Sequence, residues 1–317
     1  MATHWTLSSI PPHDFYLCLD IESYFDHEHD PTRIVEEGFT RPIPLEDRDI
    51  GVTVHFNGDP EDPEFSIETE ENLSEEELEM ANRSLHRILG TRLDLRPLYK
   101  KAGNDSVLGP LLTEFYGLKR MSRANIFEDA VNRIVQTRLS HKPTAKKMVY
   151  KVREQYAPLL EANGQSIAGW PRPHQMATAD PSQIRKLGPT LRKGEYIVDL
   201  ANAFLSGELD MAALEQADPM DFYNTISGVR GIGPTSAQNL MLFRETTEGA
   251  FPSHYDKDKE KGLRRYIILS YGGDPEQTTE VEFNDLIRNW AGYEAAAIEF
   301  LYIKYVVNEK KREQEEY

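Results

Sequence analysis

The sequence has a single cysteine, Cys18, among its 317 residues. One cysteine excludes an internal disulfide bond and any cluster that needs four cysteine ligands. It agrees with a reducing intracellular compartment. The sequence also lacks an apolar run of about 18 residues, and its first residues lack the charged and then apolar pattern of a leader. We therefore expect a cytoplasmic protein that is neither secreted nor membrane-spanning.

Positive charge is also scarce, since 36 Lys and Arg residues stand against 53 Asp and Glu residues, giving a formal net charge of -17. This total has the wrong sign for a nucleic-acid-binding protein, so the distribution of charge matters more. Residues 1–100 hold 23 acidic and 8 basic groups, whereas residues 101–317 are nearly neutral. A local basic surface can therefore exist in the later part of the chain. The acidic bias also suits a salt-rich prokaryotic cytoplasm, which is our hypothesis for the source.

Residues 1–95 have the pattern of a small antiparallel sheet with one or two helices. Segments 15–21, 50–56 and 65–69 are rich in strand-forming residues and are bounded by turn residues, so we predict strands there. Ser74 is predicted to cap a helix together with Glu77, three residues later. From about residue 95 onward the patterns predict helices and loops alone. The expected fold class is therefore α+β.

A glycine hairpin separates two helical patterns at residues 227–237. Gly231 and Gly233 permit backbone angles closed to other residues and let the chain approach a ligand closely. Pro234 suits the first turn of the helix that follows. The N-terminus of that helix would favour a phosphate, although the two glycines alone also fit an ordinary turn. The residues that we predict to bind a nucleic-acid phosphate are Arg230, Gly231, Ile232, Gly233, Thr235 and Ser236.

The segment after the second helix supports the nucleic-acid interpretation. It contains Phe251-Pro252, then a run of acidic residues and lysines, and then Leu263-Arg264-Arg265. This order resembles the helix-hairpin-helix (HhH-GPD) DNA glycosylase superfamily, and more narrowly its 3-methyladenine DNA glycosylase II (AlkA-like) branch. Other segments resemble that family in the same order and extend the likeness to roughly residues 85–306. They are 87–95, 112–120, 126–140, 187–197, 200–204 and 290–297.

The resemblance implies an N-terminal antiparallel sheet domain at 1–95, an all-α helix-hairpin-helix core of two helical subdomains at 96–306, and a charged tail at 307–317. It implies a monomeric, monofunctional DNA glycosylase of base excision repair, located in the cytoplasm with the nucleoid. Such an enzyme flips an alkylated, 3-methyladenine-type purine out of double-stranded DNA and hydrolyses its N-glycosidic bond.

Cofactor needs follow from the same resemblance. Some branches of the superfamily carry an iron–sulfur cluster on four cysteines, which this sequence cannot provide. The ion that the resemblance implies is a monovalent cation shared between hairpin carbonyls and a DNA phosphate. His27 and His29 stand among acidic residues, but without a second group of ligands we predict no metal site there.

The lyase nucleophile of the bifunctional relatives is missing. In the family that lysine lies two residues after the second hairpin glycine, where this sequence has Thr235. We therefore expect base excision without strand cleavage. Lys257, Lys259 and Lys261 lie nearby in sequence and could substitute, although solvated lysines are the simpler interpretation.

The catalytic carboxylate is expected between Phe251-Pro252 and Leu263. Counting forward from Phe251-Pro252 points to Asp256, and counting backward from Leu263 points to Glu260, one helical turn away. Asp256 is our first choice, Asp258 the second and Glu260 the third. The alternative is that these acids cap and solvate the start of a helix.

The resemblance also assigns a wedge residue and a base pocket. Arg138 falls where the family inserts a side chain into the gap left by the flipped base, and a surface arginine that contacts phosphate is the alternative. Aromatic faces attract a cationic base, whereas aromatic residues in helical folds also form the core. The aromatic candidates for the pocket are Trp170, Tyr223, Tyr255 and Trp290.

Two other functions remain open at this point. One is an 8-oxoguanine or other damaged-base glycosylase of the same fold, and the other is a catalytically inactive DNA-binding homologue. Stacked aromatic residues with few donors would favour alkylated bases, whereas polar groups around the base edge would favour oxidised ones. A carboxylate in the pocket would separate either enzyme from the inactive homologue.

Overall fold

The computed structural model describes residues 2–19, 38–139, 141–253 and 262–303. Its first part is a four-stranded antiparallel sheet with the strand order β1-β4-β3-β2. The strands are β1 (Thr3–Ser8), β2 (Phe39–Pro44), β3 (Asp49–Phe56) and β4 (Glu64–Thr69). The predicted strands at 50–56 and 65–69 are confirmed as β3 and β4. Leu7 and Phe56 both lie opposite Phe65 in the register and are buried with it on one face of the sheet.

The predicted strand at 15–21 is wrong in its described part, because residues 15–19 are helical. Asp14 begins this turn: its Oδ1 accepts the Leu17 amide at 3.0 Å, and its carbonyl accepts the Cys18 amide at 3.0 Å. Phe15, Cys18 and Leu19 are buried, which is the spacing of one helical face. The capping aspartate and this spacing outweigh the strand propensity of the segment.

Helices dominate the rest of the chain, with one exception. Contrary to the expectation of helices and loops alone, β5 (Leu159–Ala162) and β6 (Gln165–Ala168) form a hairpin. Its turn, Asn163-Gly164, has positive φ at both residues and is a strong hairpin signal. The helices are α1 (Glu75–Leu89), α2 (Arg96–Ala102), α3 (Leu108–Glu114), α4 (Ile126–Gln136), α5 (Lys142–Tyr156), α6 (Pro173–Ala177), α7 (Pro181–Lys186), α8 (Leu191–Ser206), α9 (Met211–Gln216), α10 (Pro219–Ser227), α11 (Pro234–Leu242), α12 (Leu263–Ser270) and α13 (Glu280–Ile287), followed by a 3₁₀ turn (Arg288–Trp290) and a helical segment at 294–303.

Sequence-encoded caps fix several helix starts. The predicted cap of α1 is confirmed: Ser74 Oγ accepts the Glu77 amide at 3.2 Å, and Glu77 Oε2 accepts the Ser74 amide at 2.9 Å. α11 begins at Pro234, as predicted, directly after Gly233. No helix within the described ranges combines the length and the apolar character needed to cross a membrane.

Two hydrophobic cores organise the described residues. The first core joins residues 7–121 to residues 242–303, so the sheet and the C-terminal helices are buried together. The second core contains residues 126–241 and is helical apart from the β5–β6 hairpin. The predicted domain boundary at residue 95 falls inside the first core. The glycine hairpin belongs to the second core, in which Ile232 is buried.

Candidate functional site

The glycine hairpin joins α10 to α11 through a tight turn. Gly231 has a φ of 95°, and a Cβ on it would clash with the ring of Tyr196. Ile232 is buried, and its amide donates to the Val229 carbonyl at 3.0 Å. Glycine is thus required at Gly231 both by its left-handed backbone and by the close ring. Ile232 anchors the turn in the second core.

The start of α11 forms the exposed side of the hairpin. Gly233 is exposed, and no atom lies within 4 Å of the position that its Cβ would take. Pro234 occupies the first helical position, and the first turn contains no acidic residue. Ser236 is buried, and its Oγ accepts the Nε of Arg133 at 3.4 Å. The exposed amide end of α11 is therefore accessible to an anion.

Arg230 is the cationic residue within the hairpin sequence, and acidic side chains of α8 bind it. Its guanidinium contacts Asp199 Oδ2 at 2.7 Å and Glu195 Oε2 at 3.0 Å. It also lies over the ring of Tyr196, 5.2 Å from the centroid. These two carboxylates raise the pKa of Arg230 further above its ordinary value. The charge of Arg230 is therefore balanced by carboxylates of the protein itself.

A cleft of about 330 Å³ opens beside the hairpin helix. It lies between α4, α11 and the start of α12, where the two cores meet. Pockets at such junctions are the usual place for a ligand site. We call it the hairpin cleft. Its lining residues are Arg120, Asp129, Asn132, Arg133, Gln136, Thr235, Asn239, Leu242, Phe243, Gly262, Leu263 and Tyr302.

One face of α11 forms the first wall of the hairpin cleft. Thr235, Asn239 and Phe243 follow each other at four-residue intervals, so they share a side of the helix. Asn239 Nδ2 donates to the Thr235 carbonyl at 2.7 Å, which ties the amide to its own helix. Thr235, at the position of the lyase lysine in the resemblance, thus lines the cleft and brings no amine to it.

Helix α4 forms the second wall of the hairpin cleft. Gln136 Nε2 donates to Asn132 Oδ1 at 2.8 Å, so these two amides form a pair. Asp129 is buried between two arginines, with Arg87 at 2.8 Å and Arg123 at 3.2 Å. This buried ion network includes α1 of the first core and α4 of the second. Asp129 is therefore held in place by both parts of the fold.

The third wall comes from the first core. Arg120 pairs with Glu299 and lies over the ring of Phe243, 4.9 Å from its centroid. Tyr302 stacks on Tyr266 with ring centroids 4.5 Å apart, and burial raises the pKa of Tyr302. The aromatic groups lining the cleft are thus Phe243 and Tyr302, and one face of Phe243 is covered by Arg120.

Arg138 lies in the turn after α4 and has an unusual backbone. It is exposed and has a φ of 61°, in the left-handed region that a non-glycine residue rarely adopts. Lys193 at the start of α8 donates to the Val135 carbonyl at 2.7 Å. Burial and the positive charge of Arg138 lower the pKa of Lys193. Strained residues of this kind concentrate at functional sites, which makes this turn a candidate contact surface.

The structure places three of the predicted pocket aromatics in the cores and outside the hairpin cleft. Trp290 is fully buried, and its Nε1 donates to the Tyr271 hydroxyl at 3.1 Å. Tyr223 is buried in the second core. Trp170 is buried with Arg123 and Arg153 near its ring, at 5.2 and 4.7 Å from the centroid. Protein groups surround all three rings, so these residues are better described as core residues than as the lining of a base pocket.

The predicted catalytic acids Asp256, Asp258 and Glu260, with Tyr255, lie outside the described residues, as do Lys257, Lys259, Lys261 and the tail at 307–317. The residues that flank the acids contact the site. Gln238 of α11 donates to the Pro252 carbonyl at 3.4 Å, and Gly262 lines the hairpin cleft. The acids thus lie in sequence between two residues that contact α11 or its cleft.

Sequence reasoning missed Asn239, Gln136 and Tyr302 as lining residues. The four-residue spacing from Thr235 to Asn239 could have indicated the first of them. Tyr302 carries no local signal, because it reaches the cleft through tertiary packing alone. Among the residues that the model describes, no cluster of His, Cys, Asp and Glu could hold a metal ion.

No protein-family model matches the sequence. A DNA-3-methyladenine glycosylase of Bacillus subtilis (strain 168) is 28% identical to it over 161 residues, which are 50% of this chain and 52% of that protein. The chain spans about half the length of the curated relatives it matches. The matches therefore cover a part of those proteins.

Solved structures extend the similarity to nearly the whole chain. A 3-methyladenine DNA-glycosylase from Archaeoglobus fulgidus matches with a TM-score of 0.73 and 22% identity, covering 94% of this chain and 97% of that one. An 8-oxoguanine glycosylase/lyase of Clostridium acetobutylicum, in complex with double-stranded DNA, matches with a TM-score of 0.66 and 16% identity over 98% of both chains. At these identities the structures show the fold, and the predicted α+β class is confirmed.

Proposed function

We propose that the chain is a member of the helix-hairpin-helix DNA glycosylase superfamily, in its 3-methyladenine DNA glycosylase II (AlkA-like) branch, and that it is a monofunctional DNA glycosylase that removes alkylated purines from double-stranded DNA in base excision repair. The relatives named 3-methyladenine glycosylases and the shared fold support this proposal. The observation that carries the proposal is the hairpin cleft, which lies directly beside the anion-accessible end of α11. A flipped base needs a pocket, and a helix N-terminus beside that pocket can bind a phosphate of the same DNA.

Different parts of the described structure would bind the phosphate, the duplex and the flipped base. The exposed amides at the start of α11 would hold a DNA phosphate, because a helix N-terminus attracts anions. Arg138 would fill the gap that the flipped base leaves in the duplex, since it projects from an exposed turn at the end of α4. The hairpin cleft would receive the base, away from bulk water.

Hydrolysis requires a carboxylate that stabilises the positive charge developing on the sugar or orients the attacking water. We propose Asp256 for this role, with Asp258 and then Glu260 as alternatives. Support comes from the positions of Pro252 and Gly262, which precede and follow these acids and lie against α11 and in its cleft. Thr235 in the cleft supports a reaction without a Schiff base.

A monovalent cation at the hairpin is part of the proposal. Main-chain carbonyl oxygens are suitable donors for a hard cation, and the turn from Gly228 to Gly233 supplies several of them within a few residues. Such an ion would add positive charge beside a phosphate, where Arg230 is already paired with Asp199. No step of the hydrolysis depends on it.

The test is release of free base from methylated duplex DNA by the wild type and by Asp256→Asn, with strand nicking scored separately. We expect base release by the wild type, its loss in Asp256→Asn, and no nicking by either protein. Asp258→Asn and Glu260→Gln serve as matched variants, and loss of release in one of these alone would transfer the role to it. Nicking by the wild type would contradict the monofunctional assignment, and the absence of base release would contradict the activity.

The polar lining of the hairpin cleft favours a second candidate, a glycosylase for oxidised purines. Asn132, Gln136 and Asn239 present amide groups to the cleft, and the aromatic surface is limited to Phe243 and Tyr302. Polar groups recognise the edge of a neutral base. Release of 8-oxoguanine from a defined duplex, measured beside release of methylated purines, separates the two: faster release of 8-oxoguanine would favour this candidate.

A further inference from the structure

We propose that Asn239 determines the substrate class of the hairpin cleft by accepting a hydrogen bond from an exocyclic amine, so that the cleft selects damaged purines that carry an amine over purines that lack one. This inference rests on the proposed function and goes beyond it, because the fold and the hairpin do not specify which base edge is recognised. It concerns one side chain and one kind of hydrogen bond.

The orientation of the Asn239 amide follows from its contact with the backbone. A carbonyl oxygen can only accept, so the end of the amide that lies 2.7 Å from the Thr235 carbonyl is the nitrogen. No described residue donates a hydrogen bond to Asn239 Oδ1. Because the side chain lines the hairpin cleft and is half-buried, this oxygen is the acceptor that Asn239 offers to a ligand.

A second amide on the facing helix has the same arrangement. Gln136 Nε2 is bound to Asn132 Oδ1 at 2.8 Å, and no residue within the described ranges donates to Gln136 Oε1. Asn239 on α11 and Gln136 on α4 line the same cleft. An exocyclic amine has two N–H donors, so it is the group on a purine that two amide oxygens from opposite walls suit best.

The two arginines that line the cleft already make contacts within the protein. Arg120 is paired with Glu299, and Arg133 donates its Nε to Ser236 Oγ at 3.4 Å. Asp129, the acidic residue among the lining side chains, is held by two arginines. The oxygens of Asn239 and Gln136 therefore favour a ligand that donates, and an acceptor buried without a donor lowers the affinity for a base that cannot supply one.

The contrast is sharpest between an alkylated adenine, which has a 6-amino group, and hypoxanthine, which has a carbonyl at that position. The experiment titrates free 3-methyladenine and free hypoxanthine into the protein bound to a duplex with a tetrahydrofuran abasic analogue, and heat release is measured. This measurement needs no catalysis, so it gives a result whether or not the protein excises bases. Base release from methylated DNA is scored separately and tests the proposed function.

We expect the wild type to bind 3-methyladenine more tightly than hypoxanthine. Asn239→Leu removes the acceptor at similar volume and should weaken 3-methyladenine binding by about 10- to 100-fold, as for loss of a strong hydrogen bond. Hypoxanthine binding should stay within the error of the measurement. Asn239→Asp keeps an oxygen acceptor and should retain the preference for 3-methyladenine.

Asn202→Leu is the matched control. Asn202 makes the same four-residue contact with its own helix, donating to the Val198 carbonyl at 2.9 Å, but it is exposed on α8 and is not a lining residue of the cleft. Its replacement should leave both affinities unchanged. Equal binding of the two bases by the wild type, no binding of either, or an equal loss for both in Asn239→Leu would each overturn the inference.

Discussion

Arg230 and Asp199 form an ion pair with a 2.7 Å contact at the glycine hairpin, and Glu195 joins it at 3.0 Å. The pair is exposed, so its contribution to stability is small. Its larger effect is electrostatic, because two carboxylates beside the start of α11 oppose a phosphate. Under the proposed function, a DNA phosphate would therefore compete with these two carboxylates for Arg230.

The first prediction removes this competition. Glu195→Gln combined with Asp199→Asn should tighten binding to duplex DNA and free Arg230 for one additional phosphate contact. The slope of log K against log salt should then become steeper by about 0.9. Fluorescence anisotropy of a labelled duplex over a series of salt concentrations measures both effects. Glu208→Gln, an exposed and more distant residue, is the control, and an unchanged slope in the double variant would mean that Arg230 does not contact phosphate.

The second prediction concerns Arg138 and its φ of 61°. Arg138→Gly should raise the free energy of unfolding by about 1 kcal/mol relative to Arg138→Ala, because glycine adopts this conformation without steric cost. Both variants should lower base release from duplex DNA by about tenfold, since neither can support the gap left by a flipped base. Urea unfolding and base-release assays measure the two effects. Equal losses on single-stranded and duplex substrates would favour the alternative of an arginine that contacts phosphate.

The third prediction tests whether the hairpin cleft is the reaction site. Thr235→Lys places an amine among the cleft residues, where it can condense with the aldehyde of an abasic sugar and release water. Borohydride reduction should then trap a covalent protein–DNA complex that the wild type does not form. Thr246→Lys, at a threonine that is not a lining residue of this cleft, is the control. Absence of a trapped complex with Thr235→Lys would place the sugar elsewhere.

The fourth prediction concerns pH and the buried His13. Burial, and then the positive charge of Lys119, hold the pKa of His13 well below 6.5, while its Nδ1 contacts Ser9 Oγ at 2.8 Å. In the unfolded chain His13 takes up a proton near its ordinary pKa of 6.5, whereas in the folded chain it stays neutral. The free energy of unfolding therefore decreases as the pH falls below 6.5. The loss should approach about 1.4 kcal/mol per pH unit.

Urea unfolding between pH 5 and 7.5 measures this dependence, and His13→Phe should reduce it relative to the wild type. Burial also raises the pKa of Glu128 to about 7, which makes the folded state lose stability as pH rises from 4.5 to 7. That opposing effect is common to both proteins and cancels in the comparison. His174→Phe, at an exposed histidine, should keep the wild-type dependence. An identical pH dependence for His13→Phe and the wild type would contradict the assignment.

The parts of the fold that the sequence predicted correctly are those with local causes. The Ser74 cap, the α11 start at Pro234, β3 and β4 each depend on neighbouring residues and are confirmed. The segment 15–19 is helical and not the predicted strand, because the Asp14 cap and the buried face of the turn outweigh its strand propensity. The β5–β6 hairpin was missed although Asn163-Gly164 is a recognised turn signal.

The candidate site was predictable to a lesser degree. The hairpin residues and Thr235 could be located because they follow one another in the sequence. The aromatic residues of the pocket could not be identified from the sequence, because an aromatic side chain suits a core as well as a pocket. Tertiary packing places Trp170, Tyr223 and Trp290 in the cores. The carboxylate assignments Asp256, Asp258 and Glu260 remain predictions.

The first core is formed by two separate parts of the chain, residues 7–121 and residues 242–303, which pack together. Residues 126–241, which form the second core, lie between these two parts in the sequence. The helical unit is in effect an insertion into a discontinuous unit. Its contacts are closer in sequence, so it can form early, whereas the sheet must wait for the C-terminal helices to be synthesised. In a released fragment that ends near residue 245, the helices of 126–241 should thus be protected from proteolysis and the sheet should be susceptible.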